Sequence, residues 1–293
     1  MGVFVSSGAF QGVQTVEELL PVCREHGIFD VELASGLRVV DPAGYLPLIA
    51  PLGDEFRFLL HNYFPAPDEP FVLNLADADE ENRIRSVRFC IDCMEGTAAL
   101  GMPFYSVHAG FVSSLRPEDL GKPERQGGRI SEEDHASALD RFSHSVNELA
   151  VEARRLGIRL LLENNVDAVP REGCSHLLLV SGGDVVRFFD GGTPSEVGLL
   201  LDVAHLKVSA TCRGFDPVTA LEMMAPWIGA LHLSDNDGTR DSNGLCESDS
   251  WFWEPLSRCC SRETAVVLEA YRIAPDLIHA QRELISRKLP FAV

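Results

Sequence analysis

The sequence predicts a (β/α)8 barrel, and three observations carry that prediction. Short apolar runs rich in β-branched and aromatic residues recur eight times, each followed by a stretch with apolar residues at i, i+3 and i+4. The chain is 293 residues long, which suits a barrel of about 250 residues with insertions. One strand after another ends in a polar residue that an apolar core would not select, and a barrel brings all strand ends to one mouth. A doubly wound open sheet is the alternative, and it would scatter those residues. Residues 1–293 are therefore read as a single barrel domain.

The predicted strands follow in order. Val3–Ala9 opens on Val-Phe-Val, Phe29–Ala34 reads FDVELA, Phe56–Tyr63 reads FRFLLHNY and Phe104–Phe111 reads FYSVHAGF. Ile158–Asn164 (IRLLLEN), Gly198–His205 (GLLLDVAH), Ala230–Asp235 (ALHLSD) and Ala265–Tyr271 (AVVLEAY) complete the set. Helical periodicity fills the gaps at Val16–His26, Ala43–Pro51, Glu81–Leu100, Ser131–Leu156, Ser181–Phe189, Pro217–Trp227, Ser250–Ser261 and Pro275–Lys288.

Composition narrows the function. With 45% hydrophobic and 24% charged residues, the chain reads as soluble and globular, and it is long enough to bury a core without metal or disulfide staples. Twenty-five basic against 44 acidic residues give a net charge of −19. Such a field repels phosphate backbones and anionic lipid, so nucleic acid and membranes are not expected partners. The eight cysteines are scattered through apolar segments, and Cys90 and Cys93 form a CxxC without a second pair to complete a zinc site. They read as reduced core residues. Neither a signal peptide nor an 18-residue apolar span is evident, so a cytoplasmic location is expected.

The strand-end residues carry the chemistry. Glu32, His61, His108, Glu163, Asp202, His205, His232 and Glu269 all fall at or near strand ends. Glu163 and Glu269 are embedded in the runs Leu160-Leu161-Leu162 and Val266-Val267-Leu268. A buried ionised carboxylate costs several kcal/mol unless it is paired or metal-bound. A salt bridge to arginine would explain one such glutamate, but two arriving with Asp202 and several histidines favour a metal site. A mixed Glu/Asp/His set suits Mn²⁺, Mg²⁺, Zn²⁺ or Co²⁺.

The strings LLLENN around Glu163, LLLDVAHLK around Asp202 and His205, LHLSDNDGTRD around His232 and VVLEAY around Glu269 resemble the xylose isomerase-like TIM barrels. That superfamily contains sugar isomerases, ketose 3-epimerases, inosose dehydratases and endonuclease IV-type abasic-site nucleases. The resemblance implies one divalent metal on Glu163, Asp202, His232 and Glu269. It implies substrate binding, or a further metal, for His205. His61 and His108 resemble the two histidines that hold an additional metal in endonuclease IV, and are read here either as second-metal ligands or as a polar lining that meets sugar hydroxyls. After the seventh strand the family often shows Asp-x-His, whereas here Asp241-Ser242 is followed by Asn243, which weighs against a trinuclear phosphodiesterase site. Homo-oligomers are common among barrels of this resemblance.

The chemistry so implied is proton transfer beside the carbonyl of a small carbohydrate, through an enediolate stabilised by the metal. By the same resemblance Glu163 and Glu269 act as the acid–base pair, giving epimerisation or aldose–ketose isomerisation. Dehydration of a polyol, phosphodiester hydrolysis and non-catalytic sugar binding are the competing readings. Arg240, Asn164, Lys207 and Trp253 are weaker candidates for substrate contact, with Arg240 equally readable as a solvated loop charge and Trp253 as core. The loop from Arg116 to Ile130, rich in glycine and proline, is long enough to be a lid.

Overall fold

In a computed structural model describing residues 2–41, 43–67, 69–119, 129–169 and 173–292, eight parallel strands close into a barrel in sequence order, β1 to β8. They are β1 (Val3–Ser6), β2 (Asp30–Leu33), β3 (Arg57–His61), β4 (Phe104–His108), β5 (Arg159–Glu163), β6 (Val197–Asp202), β7 (Ile228–Leu233) and β8 (Ala265–Leu268). β8 pairs back onto β1 and closes the sheet. The open-sheet alternative is thereby removed.

Nine α-helices lie among the described residues: α1 (Val16–Glu25), α2 (Tyr45–Ile49), α3 (Glu80–Ala99), α4 (Glu132–Leu156), α5 (Gly182–Asp190), α6 (Val203–Arg213), α7 (Pro217–Met224), α8 (Trp253–Cys259) and α9 (Pro275–Lys288). Side chains that satisfy free backbone N–H groups start most of them. Thr15 and Ser181 form capping boxes with Glu18 and Asp184, and Asp79, Ser131, Asp202 and Asp216 cap α3, α4, α6 and α7. None of the described helices is long and apolar enough to cross a membrane.

Seven of the strands are shorter than the sequence predicts, while β7 keeps its length and starts two residues earlier, and the strands stop where the inward-facing side chains turn polar. The largest correction concerns Gly198–His205, where β6 ends at Asp202 and α6 begins at Val203. The apolar run continues across that boundary, so periodicity alone hides it. Asp202 both ends the strand and caps the helix, its Oδ1 accepting the His205 amide at 2.7 Å. His205 therefore sits in the first turn of α6 rather than on a strand. The predicted lid falls largely outside the description, because residues 120–128 are not among the described ones.

Alternation along each strand builds the interior in layers. An apolar floor is formed by Phe4, Leu59, Phe104, Leu161, Leu200, Ala230, Ala265 and Val267. Two residues further along the same strands come Ser6, His61, Ser106, Glu163, Asp202, His232 and Glu269, the last just beyond β8. The opposite faces, among them Leu60, Leu160, Leu162, Leu199, Leu201, Leu231 and Leu268, pack outward in the main core with helix residues such as Leu19, Val87, Phe142 and Leu149. Cys90 and Cys93 belong to that core on α3, and burial pushes the Cys90 thiol up to about 12. All eight cysteines are free thiols.

Candidate metal centre

The polar layer converges on Glu163 and His232. From the end of β7, His232 directs Nδ1 toward Glu163 Oε1 at 3.3 Å and Glu269 Oε2 at 3.0 Å. Its other nitrogen, Nε2, lies 3.0 Å from Glu32 Oε2 on β2. Glu163 also meets His61 Nε2 at 3.2 Å and His108 Nδ1 at 3.1 Å, both through Oε2. One oxygen of Glu163 thus faces His232 while the other faces the His61–His108 pair. Strand register accounts for part of this, since His108 stands beside Glu163 across β4 and β5, and Asp202 beside His232 across β6 and β7.

Glu163, Asp202 and His232 are fully buried, and Glu269 is 5% exposed. One ligand atom from each of these four lies within 4.8 Å of every other. Both oxygens of Glu163, Oδ2 of Asp202, Nδ1 of His232 and Oε2 of Glu269 have no hydrogen-bond partner. Buried polar atoms are rarely left so, because each carries a penalty of about 1–3 kcal/mol and more when charged. Their convergence on one point fits a divalent cation, and three carboxylates with one imidazole are the donor set that Mn²⁺, Mg²⁺, Co²⁺ or Zn²⁺ accepts. A second group that could hold an ion, His61, His108 and Glu163, shares Glu163 with the first.

Charge within the layer is strongly coupled. Burial acts to raise the Glu163 carboxyl, yet His108, His61 and His232 outweigh it and hold the group well below the ordinary range. Glu269 is likewise opposed by burial but drawn down to about 2, chiefly by His232. At Asp202 burial, aided by Glu269, Asp241 and Glu163, overcomes His205 and raises the carboxyl. Burial lowers His108 to about 4 despite Glu163 beside it. His232 moves the other way, because Glu269, Glu32 and Glu163 overcome the effect of its burial.

His205 is placed beside this group and held by acceptors on both nitrogens. Nδ1 is 2.9 Å from the Asn164 carbonyl oxygen, and Nε2 is 3.3 Å from Asp241 Oδ2. Burial opposes its charge, but Asp202 and Asp241 raise its pKa well above the usual value. Two acceptors require two ring protons, which describes a cation in this arrangement.

The weaker candidates divide. Asn164 is buried and exchanges hydrogen bonds with the Asp202 backbone, donating to its carbonyl at 3.0 Å and accepting its N–H at 2.8 Å. It fixes the end of β6 against β5. Lys207 is held by Asp235 Oδ1 at 2.7 Å and by the Asn236 carbonyl. Trp253 is buried beside Phe252 at the start of α8 and donates Nε1–H to the Glu247 carbonyl at 2.8 Å. Arg240 is exposed on the loop after β7. Two supporting partners carry no sequence signal, Ser106 with Oγ 3.0 Å from His61 Nδ1 and Tyr271, whose hydroxyl donates to Glu269 Oε1 at 3.0 Å, whereas Glu32, predicted as a strand-end acid, stands behind His232.

Fold and site together define a (β/α)8 barrel whose mouth holds a buried carboxylate–histidine centre able to take a metal ion. The sequence profile described as xylose isomerase-like TIM barrel matches residues 13–259, and the chain belongs to that family. No curated protein matches the chain. Among solved structures, a D-tagatose 3-epimerase-like protein is similar at 20% identity and a TM-score of 0.70, covering 100% of this chain and 98% of its own. An L-ribulose 3-epimerase has 17% identity and a TM-score of 0.64, with 98% and 86% covered. The IOLI protein with a bound zinc atom has 15% identity and a TM-score of 0.65, with 100% and 99% covered.

Proposed function

We propose that the protein is a divalent-metal-dependent isomerase or epimerase of a small carbohydrate, with Glu163 and Glu269 as its acid–base pair. The observation that carries this reading is the convergence of buried ligand atoms of Glu163, Asp202, His232 and Glu269 within 4.8 Å of one another, close to neighbouring imidazoles but in no well-formed hydrogen bond. A sugar-binding barrel without chemistry gains nothing from burying three carboxylates together, which is unfavourable unless a cation is held. The names of the similar structures, an L-ribulose 3-epimerase and a D-tagatose 3-epimerase-like protein, support the same class of substrate.

Glu163, Asp202, His232 and Glu269 would hold the ion, which when bound supplies Lewis-acid polarisation of adjacent carbonyl and hydroxyl oxygens. The chain supplies the rest. Each glutamate has one oxygen toward His232 and one turned away: Glu163 Oε2 toward His61 and His108, and Glu269 Oε1 toward Tyr271. The outer oxygens are the proposed sites for taking a proton from the carbon next to the carbonyl and for returning one. Acid–base catalysis of this kind contributes about 10²–10⁴-fold. The apolar floor beneath the layer keeps water from reaching the centre from below. A phosphodiesterase is disfavoured by Asn243 where a ligating histidine would stand and by the net charge of −19.

The test is turnover of a panel of ketopentoses and ketohexoses in D₂O by the metal-loaded protein, read by NMR. Deuterium on the carbon beside the carbonyl of the product supports proton transfer. Turnover that leaves that carbon unlabelled, or activity retained in excess chelator, overturns the reading.

A further inference from the structure

Tyr271 follows Glu269 by two residues, beyond the end of β8, in a segment bracketed by two loops. The Tyr271 amide donates to the Asn243 carbonyl at 3.0 Å, and the next amide, of Arg272, donates to the Gly8 carbonyl at 3.1 Å. Tyr271 is 42% exposed as a residue and borders a cleft of about 550 Å³ with Gly8, Phe10, Gln11, Leu37 and Arg272. Its hydroxyl reaches inward and donates to Glu269 Oε1 at 3.0 Å. The other oxygen of that carboxylate, Oε2, is the one near His232 and without a hydrogen-bond partner.

Gly8 gives an independent sign that this placement is built in. A Cβ on Gly8 would lie 2.6 Å from Cε1 and 2.8 Å from Cδ1 of the Tyr271 ring, closer than carbon atoms approach. The residue is not among the glycines with positive φ, so the backbone itself does not require glycine there. What requires it is the aromatic ring lying against the turn after β1.

We infer that Tyr271 is a positioning residue for Glu269, engaging Oε1 so that Oε2 alone faces the cation site, and that Gly8 supplies the room for its ring. A carboxylate free at both oxygens can rotate or chelate through both, whereas one tied at Oε1 presents a single oxygen in a fixed direction. Oε1 retains a second lone pair for a proton in transit. Groups behind a metal ligand typically change metal affinity or activity by about 10–100-fold when removed. This inference rests on the metal reading of the site, and its test separates the two.

The experiment is titration of the metal-free protein with Co²⁺, followed by the visible d–d absorption of the bound ion, for the wild type, Tyr271→Phe, Gly8→Ala and the double variant. Phenylalanine retains the ring and removes only the hydroxyl, and alanine at position 8 displaces the ring while the hydroxyl remains. Each single variant should bind Co²⁺ about ten-fold more weakly and shift the absorption band, as a changed carboxylate mode requires. The double variant should again lose about ten-fold rather than about a hundred-fold, because both changes break one contact. Wild-type affinity and an unshifted band in Tyr271→Phe overturn the inference, as does additivity in the double variant. A variant that melts early yet keeps the wild-type band shows a packing contact only, and it overturns the inference equally. Should the wild type fail to bind Co²⁺, the metal reading falls and this inference with it.

Discussion

Glu32 Oε2 stands 3.0 Å from His232 Nε2, joining β2 to β7 across the barrel between residues 200 positions apart. With both side chains fully buried, the carboxylate fixes the ring and leaves Nδ1 turned toward Glu163 and Glu269. A carboxylate behind a histidine orients it and increases its basicity as a ligand. Glu32→Ala should therefore weaken Mn²⁺ or Zn²⁺ binding by about 10–100-fold. Glu32→Gln, whose amide oxygen can still accept from Nε2, should lose less. Competition against a chromogenic chelator measures both, and equal affinities in the wild type and Glu32→Ala would show that His232 needs no such support.

Asp202 gives a prediction in which stability and metal binding part company. Its carboxyl is raised by burial, against His205, with Glu269, Asp241 and Glu163 adding to the rise. A carboxyl raised in the fold favours the folded state when protonated, so the metal-free protein loses stability as pH climbs through the shifted range. Asp202→Asn removes that charge and retains the helix cap, because asparagine caps as well as aspartate. The metal-free variant should melt no lower than the metal-free wild type at neutral pH. With Mn²⁺ at 100 times its Kd the wild type should gain about 2.7 kcal/mol, while the variant at that same concentration should gain far less. Calorimetric melting with and without Mn²⁺ reads both, and equal gains would remove Asp202 from the ligand set.

How much of this was legible in the sequence depended on whether a feature is local. The barrel was, because eight βα units repeat a short pattern and the polar residues closing each strand announce a mouth. Glu163 and Glu269 were conspicuous because each ends an apolar run, where an unpaired carboxylate is costly. The start of α6 was hidden, since Val203, Ala204 and Leu206 continue the run of β6 and the cap, Asp202, also reads as its last residue. Glu32 looked like one more strand-end acid, and its pairing with His232 depends on barrel closure, which no sequence window contains. Gly8 and Tyr271 lie at opposite ends of the chain, and only their approach in space gives the glycine a reason.

Binding of the cation should release protons. In the metal-free site Glu269, Glu32 and Glu163 raise the His232 pKa in spite of burial, and burial raises Asp202 in spite of His205. Ligation needs both groups deprotonated. Affinity should accordingly be greatest above the raised values and fall as pH drops through them. Mn²⁺ titration calorimetry in two buffers of different ionisation enthalpy counts the released protons, and more release is expected at lower pH. Zero net release across the range would mean that neither His232 nor Asp202 is a ligand.

The two glutamates should behave as partners with separable tasks. Glu163 is surrounded by His61, His108 and His232, whereas Glu269 meets His232 and the Tyr271 hydroxyl. Replacing either by glutamine preserves shape and one oxygen donor while removing the proton acceptor. Turnover should fall by about 10²–10⁴-fold in each variant. If the two carboxylates act on opposite sides of the substrate, Glu163→Gln and Glu269→Gln should differ in which epimer still exchanges its carbon-bound hydrogen with D₂O. Each single variant should retain exchange on the side served by the remaining glutamate, even where net conversion stops. Exchange and conversion lost together, for both epimers in both variants, would instead point to one glutamate carrying the proton in both directions and the other serving only as a ligand.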